Sequence, residues 1–517
     1  MTILLGRAER APFEADVDAV VVGSGAGGAV VARELARAGL SVVVIEEGGY
    51  YAPADYARFA PSTSLRLLMR EAGLAAAVGI GDTPLVGVMA GRCVGGSSVL
   101  TGGVCFRVPD DVLHEWSTTL GLRGLAPEAM APCFEEIERD LHVTIVPDHM
   151  RSRSTELFVE GAARLGIPMK PLARNAPSCK GAARCSFGCP NQAKMSVDVV
   201  MLPDARAHGA VVLSDARVER IEVEGGRARG VRGRFTDVET GRSSVPFHVR
   251  ARVTVIACGS LHTPGLLRRS GLGGRHVGRH LTLHPAFRIG ARFDERVDGW
   301  DGAMQSVYSD HFASEGLTLI GIYSAPSVLA ATFPGVGREQ RRFARALPHL
   351  AFFGAMIHDD PGGRVRHFPL LDRWAREPHI TYEMSARDRA RLWRGVEILG
   401  EMAFAAGARE VYLPVFGAPP LTRLEELRAF VESPPPARRA ECMSFHPLGS
   451  ARMSATAGDG VVAESGAVWG TEALYVADGS TLPSSIGVNS QLPIMANALR
   501  IARGIAERFA LPGARAA

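Results

Sequence analysis

Short uninterrupted apolar runs mark the most buried parts of this chain. Ala19-Val20-Val21-Val22 and Val42-Val43-Val44-Ile45 each have the length and composition of a strand covered on both faces. Between them, residues 29–38 read as a helix with Val30, Val31 and Leu35 on one side and Gly39 as its stop. Val253-Thr254-Val255-Ile256-Ala257-Cys258-Gly259 is another buried run, and Thr263-Pro264 opens a helix that reaches Arg269. Residues 211–245 instead alternate, with Glu224-Gly225-Gly226 as a turn, and read as strands. Further helices are expected near 65–77, over much of 110–170, and at 196–209, 387–406 and 492–509. Residues 290–440 are the least regular, with alternating runs such as 379–384 that read as sheet, and Pro434-Pro435-Pro436 breaks the chain before its last part.

Composition narrows this little. The 517 residues, 46% hydrophobic and 22% charged, are those of an ordinary globular protein, large enough for two domains or one elaborated domain. A net charge of +4, with no basic run carrying interleaved aromatics, gives no case for nucleic acid. No segment reaches the roughly 18 apolar residues of a membrane span, and the N-terminus lacks an apolar signal core and a small-residue cleavage site, so a cytoplasmic location is the default expectation.

The chemistry begins between the first two runs. Gly23-Ser24-Gly25-Ala26-Gly27-Gly28 satisfies G-x-G-x-x-G, directly after a strand and opening a helix. Gly23 permits the tight turn, Gly25 lets backbone approach a pyrophosphate, and Gly28 lets helix and strand close up, with the helix N-terminus facing the phosphates. Glu46, at the end of the second strand, is placed to accept hydrogen bonds from a ribose. A second Gly/Ser-rich loop, Gly91-Arg92-Cys93-Val94-Gly95-Gly96-Ser97-Ser98-Val99-Leu100-Thr101-Gly102-Gly103, can bring backbone close to a flat or phosphate-bearing ligand and is expected to lead into a helix.

Several blocks in fixed order then resemble one family. VVVGSGAGGAVVARELARAG with Glu46, GRCVGGSSVLTGG, VTVIACGSLHTPGLLRRSG, VGRHLTLHP, HPLGSARM and YVADGSTLPSSIGVN together are similar to the glucose–methanol–choline oxidoreductases, FAD-dependent alcohol oxidases and dehydrogenases. The resemblance implies an α/β fold: a Rossmann-like FAD-binding domain with an inserted α+β substrate-binding domain built on an antiparallel sheet. The FAD domain would use 14–115, 196–290 and 442–510, with a cysteine-bearing cap segment at 116–195 and the substrate domain at 291–441. It also implies that Gly23, Gly25 and Gly28 face the FAD pyrophosphate, Glu46 the ribose and Val218 the adenine. Gly95, Gly96, Ser97 and Thr101 would lie along the isoalloxazine and ribityl side, and Asp478-Gly479 would return to the ribityl and phosphate part. Thr101 stands where the family often has Asn. Val88 and Leu100 stand where some members carry the histidine that attaches FAD, so the FAD is expected to be non-covalent.

For alcohol oxidation the resemblance makes His446 the base that takes the hydroxyl proton and Asn489 its neutral hydrogen-bonding partner, with hydride passing to flavin N5. His276, His280 and His284 are spaced like ligands, but no carboxylate accompanies them and the stretch matches a structural one in the family. The expected partners are a small-molecule alcohol and oxygen or another acceptor.

Cys179, Cys185 and Cys189 form C-x5-C-x3-C-P, followed by GCPNQAK. The pattern resembles both a three-cysteine branch that holds a [3Fe-4S] cluster and the long-chain alcohol oxidases. The spacing also fits a compact loop with buried thiols or one disulfide. Two readings stand beside the simple oxidase or dehydrogenase: a catalytic subunit passing electrons through an Fe–S cluster to a partner, and, since the family includes one, an FAD-retaining lyase. Apolar runs at 317–333 and 351–356 lean toward a hydrophobic alcohol.

Overall fold

The three buried runs lie side by side in register. In the computed structural model, which describes residues 3–237, 240–323, 325–332, 335–368 and 377–509, Ala19–Val22 pairs in parallel with Val42–Ile45 on one side and with Val253–Ile256 on the other. Continuous apolar composition suits them because both faces of this central part of the sheet are covered. The sheet continues through Val211–Ser214 to Ile3–Leu5 at one edge. At the other, the long strand Ser243–Ile256 pairs antiparallel with Arg227–Thr236, which pairs with Ala216–Glu224. The inner end of Ser243–Ile256 also takes Leu474–Val476 in parallel, bringing the C-terminal part of the chain to the glycine turn. Helix Ala26–Arg37 packs between this sheet and helix Gln491–Phe509.

The second sheet draws together residues far apart in sequence. Its centre is Ala286–Arg292, Leu350–Ile357 and Leu317–Gly321, all antiparallel. Helices Ala386–Ala405 and Arg153–Arg164 cover one face. The period-two alternation of strands divides these residues. Leu317, Leu319, Phe353, Ala355, Ile357 and Phe287 face the apolar core under the helices. Thr318, Ile320, Met356 and Ala286 face a cleft on the other side.

Local expectations shift where tertiary pairing outweighs propensity. The helix expected near 65–77 is instead a helix at Pro61–Leu68, and Ala76–Gly79 is a strand paired with Val86–Val88. The second glycine loop closes in a 3-10 turn, Gly96–Leu100, rather than leading into a helix. Within 110–170, helix alternates with loops and short strands, and the helix expected at 196–209 is confined to Met201–Ala207.

Candidate active site

Two glycine loops touch at the bottom of one cleft. A Cβ on Gly23 would lie 2.2 Å from the Ala257 carbonyl oxygen, where φ is already +103°, and one on Gly28 would lie 1.9 Å from the Gly23 oxygen. Gly27 is equally closed: its Cβ would come 1.8 Å from the Ala477 oxygen. Gly25 differs. Its nearest neighbour would be the Gly96 Cα at 3.9 Å, so its open side faces the cleft, as close approach by a pyrophosphate requires. Gly25 is also the N-cap of Ala26–Arg37 and brings no side-chain cap, which leaves the first helical N–H groups for an anion.

Two carboxylates brace these turns. Glu46 accepts hydrogen bonds from the Ser24 N–H (3.0 Å) and hydroxyl (2.7 Å) and from the Gly48 N–H (2.9 Å). The Ser24 hydroxyl in turn accepts from the Gly95 N–H at 3.0 Å, tying the two loops together. Asp478 accepts from the Gly259 N–H (2.8 Å), the Thr263 hydroxyl (2.5 Å) and the Ser480 N–H (2.8 Å). Burial pushes both carboxyls upward, and these donors act against it. Farther along the cleft wall, Arg70 bridges Glu47 at 3.0 Å and Glu377 at 3.4 Å, and His262 lies 3.3 Å from Glu377. Burial works to raise the Glu377 carboxyl, but His262 and Arg70 prevail and hold it at about 2.

The cleft has a cavity volume of about 300 Å³ and opens to solvent. Gly23, Gly25, Glu46 and Val218 line one part of it; Gly96, Ser97, Thr101, Asp478 and Gly479 also line it, as do His446 and Asn489. Of the residues predicted to touch the cofactor, Gly28 and Gly95 do not line the cleft; they hold the backbone behind it.

Asn489 Nδ2 lies 3.0 Å from His446 Nε2. Burial alone lowers the His446 pKa to about 4, so the imidazole is neutral near pH 7 and its Nε2 is an acceptor, facing the Asn489 amide N–H. His446 Nδ1 is buried with no hydrogen-bond partner among the described residues, as is Gln491 Nε2. The Thr101 hydroxyl donates to Gln491 Oε1 at 2.7 Å, which joins the second glycine loop to the Asn489 loop. Gln491, two positions after Asn489, was not singled out from the sequence; its place at the start of the last helix was the available signal.

His284 has a different role from the ligand-like spacing of its neighbours. Fully buried, it accepts from the Ile486 and Gly487 N–H groups through Nε2 at 3.0 and 3.1 Å, so it fixes the loop leading to Asn489. His276 and His280 bond each other at 2.9 Å. Among the described residues no group of three or more His, Cys, Asp or Glu side chains converges as metal ligands, at these histidines or at Cys179, Cys185 and Cys189. The cluster expectation for those cysteines gains no support.

Residues 17–286 match the N-terminal GMC oxidoreductase family profile and residues 361–498 the C-terminal one. The chain is 40% identical to an uncharacterised GMC-type oxidoreductase of Mycobacterium tuberculosis, over 95% of this chain and 76% of the relative. It is 29% identical to the long-chain-alcohol oxidase FAO1 of Arabidopsis thaliana, over 96% of this chain and 68% of that one. Its fold is similar to that of formate oxidase from Aspergillus oryzae, at TM-score 0.72 and 16% identity over 96% of this chain and 99% of that one. No helix among the described residues is long and apolar enough to cross a membrane. By sequence and fold together, the chain belongs to the glucose–methanol–choline (GMC) oxidoreductases, and it is an FAD-dependent oxidoreductase.

Proposed function

We propose that the chain oxidises an apolar alcohol to the aldehyde or ketone. The observation that carries this reading is the His446–Asn489 pair, 3.0 Å apart, in a cleft whose sheet-side wall is largely apolar. Gly23, Gly25 and Glu46 would hold the pyrophosphate and ribose of FAD, Val218 the adenine, and Gly96, Ser97, Asp478 and Gly479 the middle of the cofactor. FAD, when bound, supplies the hydride acceptor at N5. The Asn489 amide donates to the substrate oxygen, and neutral His446 takes the hydroxyl proton at Nε2. With no histidine at Val88 or Leu100, the FAD is held without a covalent bond, and acid precipitation should release it to the supernatant.

Ile320, Met356 and Ala286 project from the second sheet into the cleft, and Met304, Ile322 and Phe445 add to that wall. Thr318 and Gln305 are polar exceptions. Such a wall rewards alkyl surface rather than hydroxyls, in line with the long-chain-alcohol oxidase relative. Burying a methylene contributes about 0.8 kcal/mol, or about fourfold in kcat/KM. Anaerobic flavin reduction by straight-chain primary alcohols should therefore climb about fourfold per methylene until the wall is covered. A rate independent of chain length, or a preference for sugars, would overturn the assignment.

A further inference from the structure

The GCPNQAK segment places a buried cation behind the flavin-side loop. Cys189 Sγ accepts from the Ala193 N–H at 3.3 Å, which curls the segment and turns Lys194 inward. Lys194 is 2% exposed. Its Nζ donates to three carbonyls, Val99 O at 2.6 Å, Thr101 O at 2.8 Å and Cys185 O at 2.9 Å. Three acceptors call for three N–H donors, which only the ammonium form has. Arg174, 1% exposed, donates through Nε to Gly102 O at 2.7 Å and approaches Cys185 Sγ with Nη2 at 3.1 Å. Two positive charges thus bind three nearby carbonyls of one loop, at Val99, Thr101 and Gly102.

The other side of that loop is the cleft, lined by Leu100, Thr101 and Gly102. All peptide bonds here are trans, so the N–H following each clamped carbonyl points away from the cation. Burial works against the Lys194 charge, and the groups that favour the two cations are Cys185 Sγ, which faces both, and Asp198 beside Lys194. Asp198, the carboxylate that acts on Lys194, is itself buried, bonded by the Tyr56 and Ser196 hydroxyls and pushed upward by burial. Carbonyl dipoles and one buried carboxyl hold the cations in place, and a buried cation so held also favours any negative charge gained across the loop.

We infer that Lys194, seconded by Arg174, is a positioning residue for the flavin: a fixed positive charge, relayed through the peptides of residues 99–102, that favours the reduced cofactor. Uptake of two electrons and one proton adds one negative charge to a bound flavin, and that charge is what the buried cations stabilise. The cysteine loop is then a scaffold that delivers Lys194. The inference rests on FAD lying in the cleft and not on which alcohol is oxidised.

The test is the midpoint potential of the bound FAD, measured by dye-linked reductive titration without any alcohol. Lys194→Met and Lys194→Gln should lower the equilibrium for flavin reduction at least tenfold, roughly 30 mV for a two-electron couple. Lys194→Arg should restore most of it, and Arg174→Gln should shift it in the same direction by less. An unchanged potential in neutral variants that hold FAD overturns the proposal. So does a pattern in which both neutral variants lose FAD while Lys194→Arg keeps it with a shifted potential, because Lys194 would then be a structural strut. Failure of every alcohol to reduce the parent would refute the proposed substrate and leave this measurement standing.

Discussion

The two ends of the cleft are built on opposite principles. At the anchoring end the polar groups are satisfied by the protein itself: Glu46 meets donors from Ser24 and Gly48, and Asp478 meets Gly259, Thr263 and Ser480. At the reacting end His446 Nδ1 and Gln491 Nε2 are buried without partners, and the His446 imidazole has a single hydrogen-bond partner, Asn489, among the described residues. A buried polar atom left unpaired calls for an explanation. On the proposed function, the first end is preorganised to hold the cofactor, whereas the second keeps its groups for reactants. Damage at the first end should be all-or-none, and damage at the second graded with the cofactor retained.

The largest effect is expected from Gly27→Ala. The new methyl would lie 1.8 Å from the Ala477 oxygen, a backbone atom with no rotamer to move into. The helix and the C-terminal strand end must separate, and purified protein should contain little FAD by absorbance. A holoprotein with normal flavin content would remove the contrast between the ends.

His446→Ala should come next. Loss of a general base costs about 10²–10⁴-fold in rate, read as the anaerobic rate of flavin reduction by a reactive alcohol. Flavin content should match the parent, since the anchoring contacts do not involve this residue. Full reduction rates would place the base elsewhere.

The pH profile then sharpens the role of its partner. With the His446 pKa lowered to about 4, kcat/KM should stay level from neutrality downward and fall only as pH approaches 4, where the imidazole protonates and ceases to accept. The same shift acts on stability. The unfolded histidine protonates near 6.5 and the folded one near 4, so the unfolded state binds the extra proton between these values. His446 therefore withdraws stability as pH falls from 6.5 to 4, and adds nothing further below that window. Asn489→Asp would set a carboxylate beside Nε2, favour the imidazolium, and move the acid limb up by about 1–2 pH units. An unmoved limb would show that the group titrating is not His446.

How much of this was legible in sequence follows the same division. The three apolar runs and the glycine turn were readable because buried parallel strands and close backbone approach leave local signatures, and the runs lie side by side in parallel. His446 and Asn489 were readable only through the family resemblance; nothing local distinguishes His446 from a structural histidine before a proline. The apolar wall was visible as runs but not as a wall, since Ile320 and Met356 share a face only after three antiparallel strands align. The cysteine segment was legible only as thiol spacing; Lys194 carried no local signal, because its acceptors Val99 O and Thr101 O lie 95 and 93 positions away.

The smallest effect tests the seam between the two ends. Thr101 donates to Gln491 Oε1 at 2.7 Å and accepts from the Gly103 N–H at 3.2 Å, so one hydroxyl links the flavin-side loop to the helix that follows Asn489. Thr101→Val keeps the shape and removes both bonds. A neutral hydrogen bond contributes about 0.5–1.5 kcal/mol, a factor of roughly two to twelve. The expected loss is roughly three- to tenfold in the reductive rate, with unchanged FAD content. Thr101→Ser, which keeps the hydroxyl, should lose less. If Thr101→Val instead releases FAD, the loop belongs to the anchoring end, and the boundary between the two ends lies nearer His446.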